Sequence, residues 1–108
     1  MMYAKVHEKK DSLGVLRRVL AVCDEQLLGK ILQDKKSGAH LDLKAYRGFY
    51  EGKKVSENEV IKLCHMTSID SFNAVGVEAI KALSVALVVE LESVKKIGGV
   101  PHLQVYKI

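Results

Sequence analysis

Alternation of apolar and polar side chains is clearest at the start of the chain, where it predicts a β-hairpin. Met2, Ala4 and Val6 would face one side of a strand, while the residues between them face the other side. A polar break follows, and residues 15–23 form a second run that is rich in branched apolar side chains. Because the connection is short, we expect these two strands to pair with each other.

The next segment carries the signals of a helix. Asp24 is a typical N-cap residue, and leucine and isoleucine then recur in a narrow helical stripe up to position 32. Two lysines and Gly38 end the segment, as is common at helix C-termini. We therefore expect a helix beginning at Asp24 and ending before Gly38, then a strand over residues 40–44 and an irregular strand or loop over residues 45–54.

The second half predicts two helices and a final strand. Ser56 and Glu59 form a capping box, which predicts a helix that begins after Ser56. Asp70 or Ser71 would cap the next helix, whose buried stripe begins at Phe72. Its C-terminal end is open between positions 85 and 92, where helix and strand patterns fit equally well.

A glycine-rich turn separates that helix from the end of the chain. Gly98, Gly99 and Pro101 cannot continue a helix, so residues 102–108 are expected to form a strand. Strands in both halves with helices between them indicate an α+β fold, with about three helices and a mixed or antiparallel sheet. The length of 108 residues predicts a single compact domain over residues 1–108.

Hydropathy and cysteine content indicate the cellular compartment in which we expect the protein. The most apolar stretch, residues 75–91, is interrupted by Glu78, Lys81 and Glu90, so we expect a core helix there and no membrane association. No secretory signal pattern is visible, and two cysteines are too few for a disulfide framework. We therefore expect a cytoplasmic protein with reduced cysteines.

Positive charge is confined to the first half of the chain. Residues 1–54 hold twelve Lys/Arg and seven Asp/Glu, a net charge of +5, whereas residues 55–108 hold five and six, a net charge of −1. Basic and aromatic residues are interleaved there, an arrangement that can hold phosphates and stack on unpaired bases. The alternative is that the aromatic rings cover the core and the cations are merely solvated. The candidate RNA-binding residues are Arg17, Arg18, Tyr46, Arg47, Tyr50, Lys53 and Lys54.

The sequence gives weaker support for a metal site, a phosphate-binding loop or a catalytic nucleophile than for RNA binding. The histidines and cysteines lack the paired spacing of zinc ligands, so no metal or cofactor is predicted. Gly98-Gly99 lacks the lysine and the following helix of a phosphate loop. Cys23 sits at an expected helix N-terminus, which favours a thiolate, although a buried core cysteine is the simpler interpretation.

Four blocks of the sequence resemble a known family. Residues 2–7 (MYAKVH), 21–30 (AVCDEQLLGK), 73–79 (NAVGVEA) and 97–105 (IGGVPHLQV) occur in the same order in the archaeal domain-of-unknown-function family 424. The resemblance implies a small, single-domain archaeal cytoplasmic protein. It implies no activity and no catalytic residue.

Two hypotheses of function follow. The first is a non-enzymatic protein that binds RNA or a ribonucleoprotein of the translation apparatus, because its first half is basic and carries aromatic residues. The second is a small enzyme or ligand-binding domain in which helix N-termini surround an anion. Its candidate residues are Cys23, Asp24, Asn73 and His102. We expect binding rather than catalysis, and the oligomeric state stays open.

Overall fold

The computed structural model describes residues 1–66, 68–86, 89, 92 and 94–106. Its first two strands are the predicted hairpin. Strands β1 (Met2–Lys10) and β2 (Leu16–Asp24) pair antiparallel along their whole length. The radius of gyration, 13.5 Å, is close to the ~13 Å expected of a compact chain of this length.

Within the described ranges, the remaining elements complete one large sheet, one small sheet and three α-helices. After a 3₁₀ turn at Glu25–Leu27 the elements are β3 (Ile31–Gln33), β4 (His40–Asp42), α1 (Arg47–Tyr50), β5 (Lys53–Val55), α2 (Glu57–Met66), β6 (Ser71–Val75), α3 (Val77–Val85), β7 (Lys95–Ile97) and β8 (Val100–Tyr106). The large sheet has the order β5-β1-β2-β6-β8-β7, and β3 pairs with β4 in the small one. Among the strands that the structure describes in the large sheet, only β2 and β6 run parallel, so the predicted α+β fold is confirmed with a mixed sheet.

The large sheet is covered on both faces. Helices α2 and α3 pack on one face, the α2/α3 face, around the buried Leu20, Phe72 and Leu103. The small sheet and α1 pack on the other, the α1 face, around the buried Cys23 and Val75. Because side chains alternate along a strand, neighbouring residues of β2 and β6 pack into different cores, one on the α2/α3 face and one on the α1 face.

The predicted helix from Asp24 to Gly38 is wrong. The chain forms only the short 3₁₀ turn, and Gly29 then takes a left-handed backbone conformation with φ of +88°. That conformation ends any helix, and Ile31 begins strand β3 with its side chain exposed. The leucines of the apparent stripe still reach the core, because Leu27 and Leu32 are both buried.

The predicted start of the third helix is also wrong. Residues 71–75 form the central strand β6, buried on both faces, and α3 begins after Gly76. A strand that is covered on both sides shows no alternation, so its sequence resembles a buried helix. Asp70 caps no helix; instead its Oδ2 accepts a hydrogen bond from the Arg18 backbone N–H.

Other local predictions are confirmed in whole or in part. Ser56 Oγ accepts the Glu59 N–H, and Glu59 Oε1 accepts the Ser56 N–H, which is the reciprocal pair of a capping box. The strand predicted over residues 40–44 is present as β4, which ends at Asp42. Residues 45–54, expected as an irregular strand or loop, contain the short helix α1 as well as strand β5. The open helix end falls partly on residues 87, 88, 90 and 91, which lie outside the described residues, as do residues 107 and 108 of the last strand.

Candidate functional site

A pocket of about 280 Å³ lies on the α1 face, between α1, β4 and the middle of the large sheet. It is lined by Leu41, Tyr46, Phe49, Tyr50, Asn73 and Gln104. Its walls are therefore three aromatic rings, one leucine and two carboxamides. This pocket is somewhat smaller than the roughly 300–1,000 Å³ of sites for drug-sized ligands, so its volume suits a small group.

Local hydrogen bonds set the position of the aromatic wall. Asp42 ends β4, and its Oδ1 accepts the backbone N–H groups of Lys44 and Ala45. This turn sends the chain back over the sheet, where the Tyr46 N–H donates to the Asp42 carbonyl. Tyr46 is left 61% exposed at the pocket mouth. Single exposed apolar side chains are common on protein surfaces, but this ring borders a pocket that two other aromatic rings line, so it is a candidate surface for stacking.

The floor of the pocket is polar and rigid. Asn73 of β6 lies opposite Gln104 of β8, so both amides point to the α1 face. The Tyr50 hydroxyl donates to Asn73 Oδ1 over 2.7 Å, and both side chains are buried. This bond orients the Asn73 amide and leaves its N–H₂ group out of the Tyr50 contact.

Stacked rings tie α1 to the first strand. The His7 and Phe49 rings stack with centroids 4.5 Å apart and 9° between their planes. His7 Nε2 donates to the Phe49 carbonyl over 2.7 Å, since a carbonyl oxygen can only accept. Phe49 in turn meets Tyr50 edge to face, with centroids 5.0 Å apart. The aromatic wall is thus held by the sheet rather than by the four-residue helix itself.

The structure disperses the predicted RNA-binding set. Tyr46 and Tyr50 line the pocket, but Tyr50 is only 2% exposed. The five cations each contact an acidic side chain: Arg17 with Asp11, Arg18 with Glu8, Arg47 with Glu51, Lys53 with Glu59 and Lys54 with Glu25. The closest contact, from Lys54 Nζ to Glu25 Oε1, is 2.6 Å, and that hydrogen bond raises the pKa of the Lys54 amine. These five cations therefore present less uncompensated charge than the sequence suggests.

Other lysines stay exposed without an ion pair within the described part of the chain. They are Lys9, Lys10, Lys30, Lys35, Lys36 and Lys44 in the first half. Lys44 lies two residues before Tyr46 and is therefore near the pocket mouth. The sequence does not single out Lys44, because it does not show which cations have acidic neighbours.

The residues of the second hypothesis are divided by the sheet. Cys23, Val75 and His102 occupy one row of the register, so Cys23 and His102 share the α1 face with Asn73. Asp24 faces the other side. Burial raises the pKa of the Cys23 thiol to about 12, so it is a protonated core thiol whose Sγ donates to the Asp24 carbonyl. Burial also lowers the pKa of His102, whose Nε2 lies buried with no hydrogen-bond partner among the described residues.

Asp24 caps a helix, but a different one from that predicted. Its carboxylate accepts the N–H groups of Glu78 at 3.1 Å and Ala79 at 2.7 Å, in the first turn of α3. Burial is the main influence on this carboxyl and raises its pKa, against the two N–H bonds. Gly76 has φ of +108°, and a Cβ there would lie 2.2 Å from the Asp24 carboxyl carbon. The N-terminus of α3 is thus filled by an anion of the protein itself.

Leu41 and Gln104 were not anticipated as pocket residues. Alternation in β8 places Gln104 opposite to Leu103 and Val105, which is visible in the sequence. Its position beside Asn73 depends on the register of β6 and β8, which is not. Within the described ranges no group of three or more His, Cys, Asp or Glu side chains could hold a metal ion. No helix in those ranges has the length and hydropathy to cross a membrane.

Comparisons with known proteins agree with this fold. The family model described as "Protein of unknown function (DUF424)" matches residues 13–108. A similar solved structure is the crystal structure of an uncharacterized conserved protein from the archaeon Methanopyrus kandleri, with 28% sequence identity and a TM-score of 0.77. The similarity covers 99% of this chain and 91% of that one. No curated protein matches the sequence. Since the family model covers most of the sequence, the chain belongs to the DUF424 family.

Proposed function

We propose that this chain is a non-enzymatic RNA-binding protein, with RNA or a ribonucleoprotein of translation as its partner, and that its pocket holds one unpaired base. The observation that carries the proposal is the exposed Tyr46 ring at the mouth of a pocket whose floor holds two amides. Protein surfaces that recognise RNA typically target unpaired bases through aromatic stacking and hydrogen bonds to the base edge.

The aromatic and the amide side chains of the pocket match the flat face and the polar edge of a base. Tyr46 offers a ring face for stacking, which is worth about 1–3 kcal/mol per base. Asn73 and Gln104 each carry a donor group and an acceptor atom, as the edge of a base does. If a base entered between them, its polar edge would face the two amides and its π face would stack on the Tyr46 ring.

The backbone of an RNA would need cations near the pocket mouth. Lys44 is exposed and adjacent in sequence to the turn that carries Tyr46. Lys53 and Lys54 lie on the edge strand β5 and contact Glu59 and Glu25. We therefore assign the phosphate contact to Lys44 rather than to that lysine pair.

Binding rather than catalysis is supported by the second set of residues. The Cys23 thiol, with a pKa of about 12, is protonated at neutral pH and is a poor nucleophile. The α3 N-terminus already accommodates the Asp24 carboxylate, which leaves little reason for a second anion there. No contact of the described residues favours the alternative of an anion pocket or a small enzyme.

Fluorescence anisotropy with a labelled, unstructured RNA of about ten nucleotides tests the proposal. We expect measurable binding at about 50 mM salt that weakens as salt rises, because counterions are released. Tyr46→Ala should lower the affinity by roughly 5- to 150-fold, which corresponds to about 1–3 kcal/mol of stacking. Lys44→Glu should weaken binding and flatten its salt dependence.

Two controls make the result specific to the pocket. Val77→Ala removes another exposed apolar side chain, on the opposite face of the sheet, and should leave the affinity unchanged. The double change Lys53→Glu with Lys54→Glu should weaken binding less than Lys44→Glu does. Absence of binding at low salt, or full affinity in Tyr46→Ala, would show that the proposal is wrong.

A further inference from the structure

One edge of the large sheet is open along most of its length. Strand β5 pairs with β1 only at Met2, Tyr3 and Ala4, although β1 continues to Lys10. The other side of β1 is paired with β2 throughout. Beyond Ala4, therefore, no strand among the described residues pairs with the outer edge of β1.

The hydrogen bonds at the two ends of the β1–β2 ladder show which groups this edge presents. Asp11 N–H donates to the Val15 carbonyl, and Glu25 N–H donates to the Met1 carbonyl. Because hydrogen-bonded pairs alternate in an antiparallel ladder, odd-numbered residues of β1 bond to β2 and even-numbered ones point outward. The outward N–H and C=O groups of Val6, Glu8 and Lys10 have no backbone partner among the described residues. These outward groups recur at every second residue, which is the spacing that an added strand would pair with.

An apolar groove of about 370 Å³ runs beside this edge on the α2/α3 face. Its lining comprises Ala4, Val6, Val55 and Leu63 as the apolar part and Lys53, Glu59 and Lys62 as the charged part. A residue placed opposite Val6 on an added strand would direct its side chain to this same face. The groove would then receive one apolar side chain of the added strand.

Charge indicates what kind of strand fits. Lys9 and Lys10 are exposed on the open part of β1, and Lys62 is exposed on the groove wall. None of the three has an ion pair within the chain as described, whereas Glu8 is paired with Arg18 and Glu59 with Lys53. Uncompensated charge along the edge is therefore positive.

A second copy of the chain is a poor occupant of this edge. Two β1 strands side by side would bring two sets of lysines together, and lysine on an open edge is a common device against such pairing. The same lysines would attract an acidic segment. We propose that the outer edge of β1 and the adjoining groove bind an extended acidic peptide segment of another protein, which adds a strand next to Val6, Glu8 and Lys10. This site is separate from the pocket at Tyr46 and does not depend on RNA binding.

Two synthetic peptides test the proposal by nuclear magnetic resonance. One alternates valine with glutamate over six residues, the other alternates valine with lysine, and both have blocked ends. With the acidic peptide at about 1 mM, amide exchange should slow at Val6, Glu8 and Lys10, as expected for weak strand addition. The basic peptide should cause no such change. No slowing with the acidic peptide, or equal slowing with both, would overturn the proposal.

Matched variants separate backbone pairing from charge. Glu8→Pro removes one outward N–H without touching the ladder to β2, and it should lower the affinity for the acidic peptide at least fivefold. Glu8→Ala removes the same carboxylate but keeps the N–H, so it should bind at least as well as the unchanged protein. Lys62→Glu, on an exposed position of α2, should also weaken binding and covers the case in which the proline variant does not fold. Equal peptide affinity in Lys62→Glu and the unchanged protein would contradict the assigned charge preference.

Discussion

Asp24 joins the central strand β2 to the start of α3, and its removal should be the most damaging change to a polar side chain in this protein. The side chain is 1% exposed and accepts two backbone N–H groups, from Glu78 and Ala79. In Asp24→Ala both donors lose their acceptor, at a buried position for the Ala79 N–H and at a partly buried one for the Glu78 N–H. Gly76 packs directly on the carboxylate and has no side chain of its own, so it cannot fill the space that the substitution leaves.

The size of the effect follows from two contributions. Loss of an N-cap side chain costs about 0.5–2 kcal/mol, and a buried donor without a partner costs about 1–3 kcal/mol. Since the two overlap, we expect Asp24→Ala to lower the free energy of unfolding by about 2–4 kcal/mol, against a total of about 5–15 kcal/mol for a domain. The midpoint of thermal unfolding should fall by roughly 10–25 °C.

Urea unfolding followed by circular dichroism measures this loss, and Asp11→Ala is its matched control. Asp11 also accepts two backbone N–H groups, those of Leu13 and Val15, but it does so in an exposed turn. Its removal should therefore cost clearly less. Equal losses in the two variants, or a loss under about 0.5 kcal/mol for Asp24→Ala, would refute the reasoning that burial makes this cap important.

Asp24→Asn separates shape from charge. The asparagine oxygen can still accept one N–H, but its own N–H₂ group would face the second donor. Burial of the charged carboxylate is itself unfavourable and offsets part of the stabilisation from the two N–H bonds. This unfavourable burial is why the pKa of Asp24 is raised. The asparagine variant avoids that cost, so its loss of stability should be smaller than that of Asp24→Ala.

Two further predictions concern the α1 face. Tyr50→Phe should lower the free energy of unfolding by about 1–2 kcal/mol in urea titrations, because the buried Asn73 oxygen loses its donor; Tyr3→Phe, on a less buried tyrosine, is the comparison. Burial holds the pKa of His102 below the ~6.5 of an unfolded chain, so the unfolded state takes up a proton first and stability should fall as pH drops below about 6.5. His102→Gln should flatten that part of the stability–pH curve, which urea titrations repeated at several pH values would measure.

The parts of the fold that sequence predicts well are those decided by near neighbours. The first hairpin needs only alternation and a short polar turn, and both lie within residues 2–24. The capping box of α2 needs only Ser56 and Glu59, three positions apart. In both cases the stabilising contact is between residues close in the chain, so local pattern and final structure agree.

The two incorrect helices have a different cause. Residues 71–75 become a strand because β2 and β8 pair with them on either side and both faces are covered. Burial on every side removes the alternation by which a strand is recognised. The leucines after Asp24 reach the core from a turn and a short strand, so a helical stripe and this irregular path both bury Leu27 and Leu32, although Ile31 is exposed. The left-handed backbone at Gly29 is what ends a helix at this point.

The candidate site shows the same limit at the level of single contacts. Sequence indicated that Asp24 is a cap, and its carboxylate does cap a helix in the structure. Tyr46 and Tyr50 both line the pocket, although Tyr50 is buried. What the sequence could not supply was the partner: α3 for Asp24, and Asn73 for Tyr50. The type of interaction is set by the side chain itself, whereas its partner is set by strand order. That order brings β2, β6 and β8 together, and it thereby divides one set of polar residues between a buried cap on one face and an open pocket on the other.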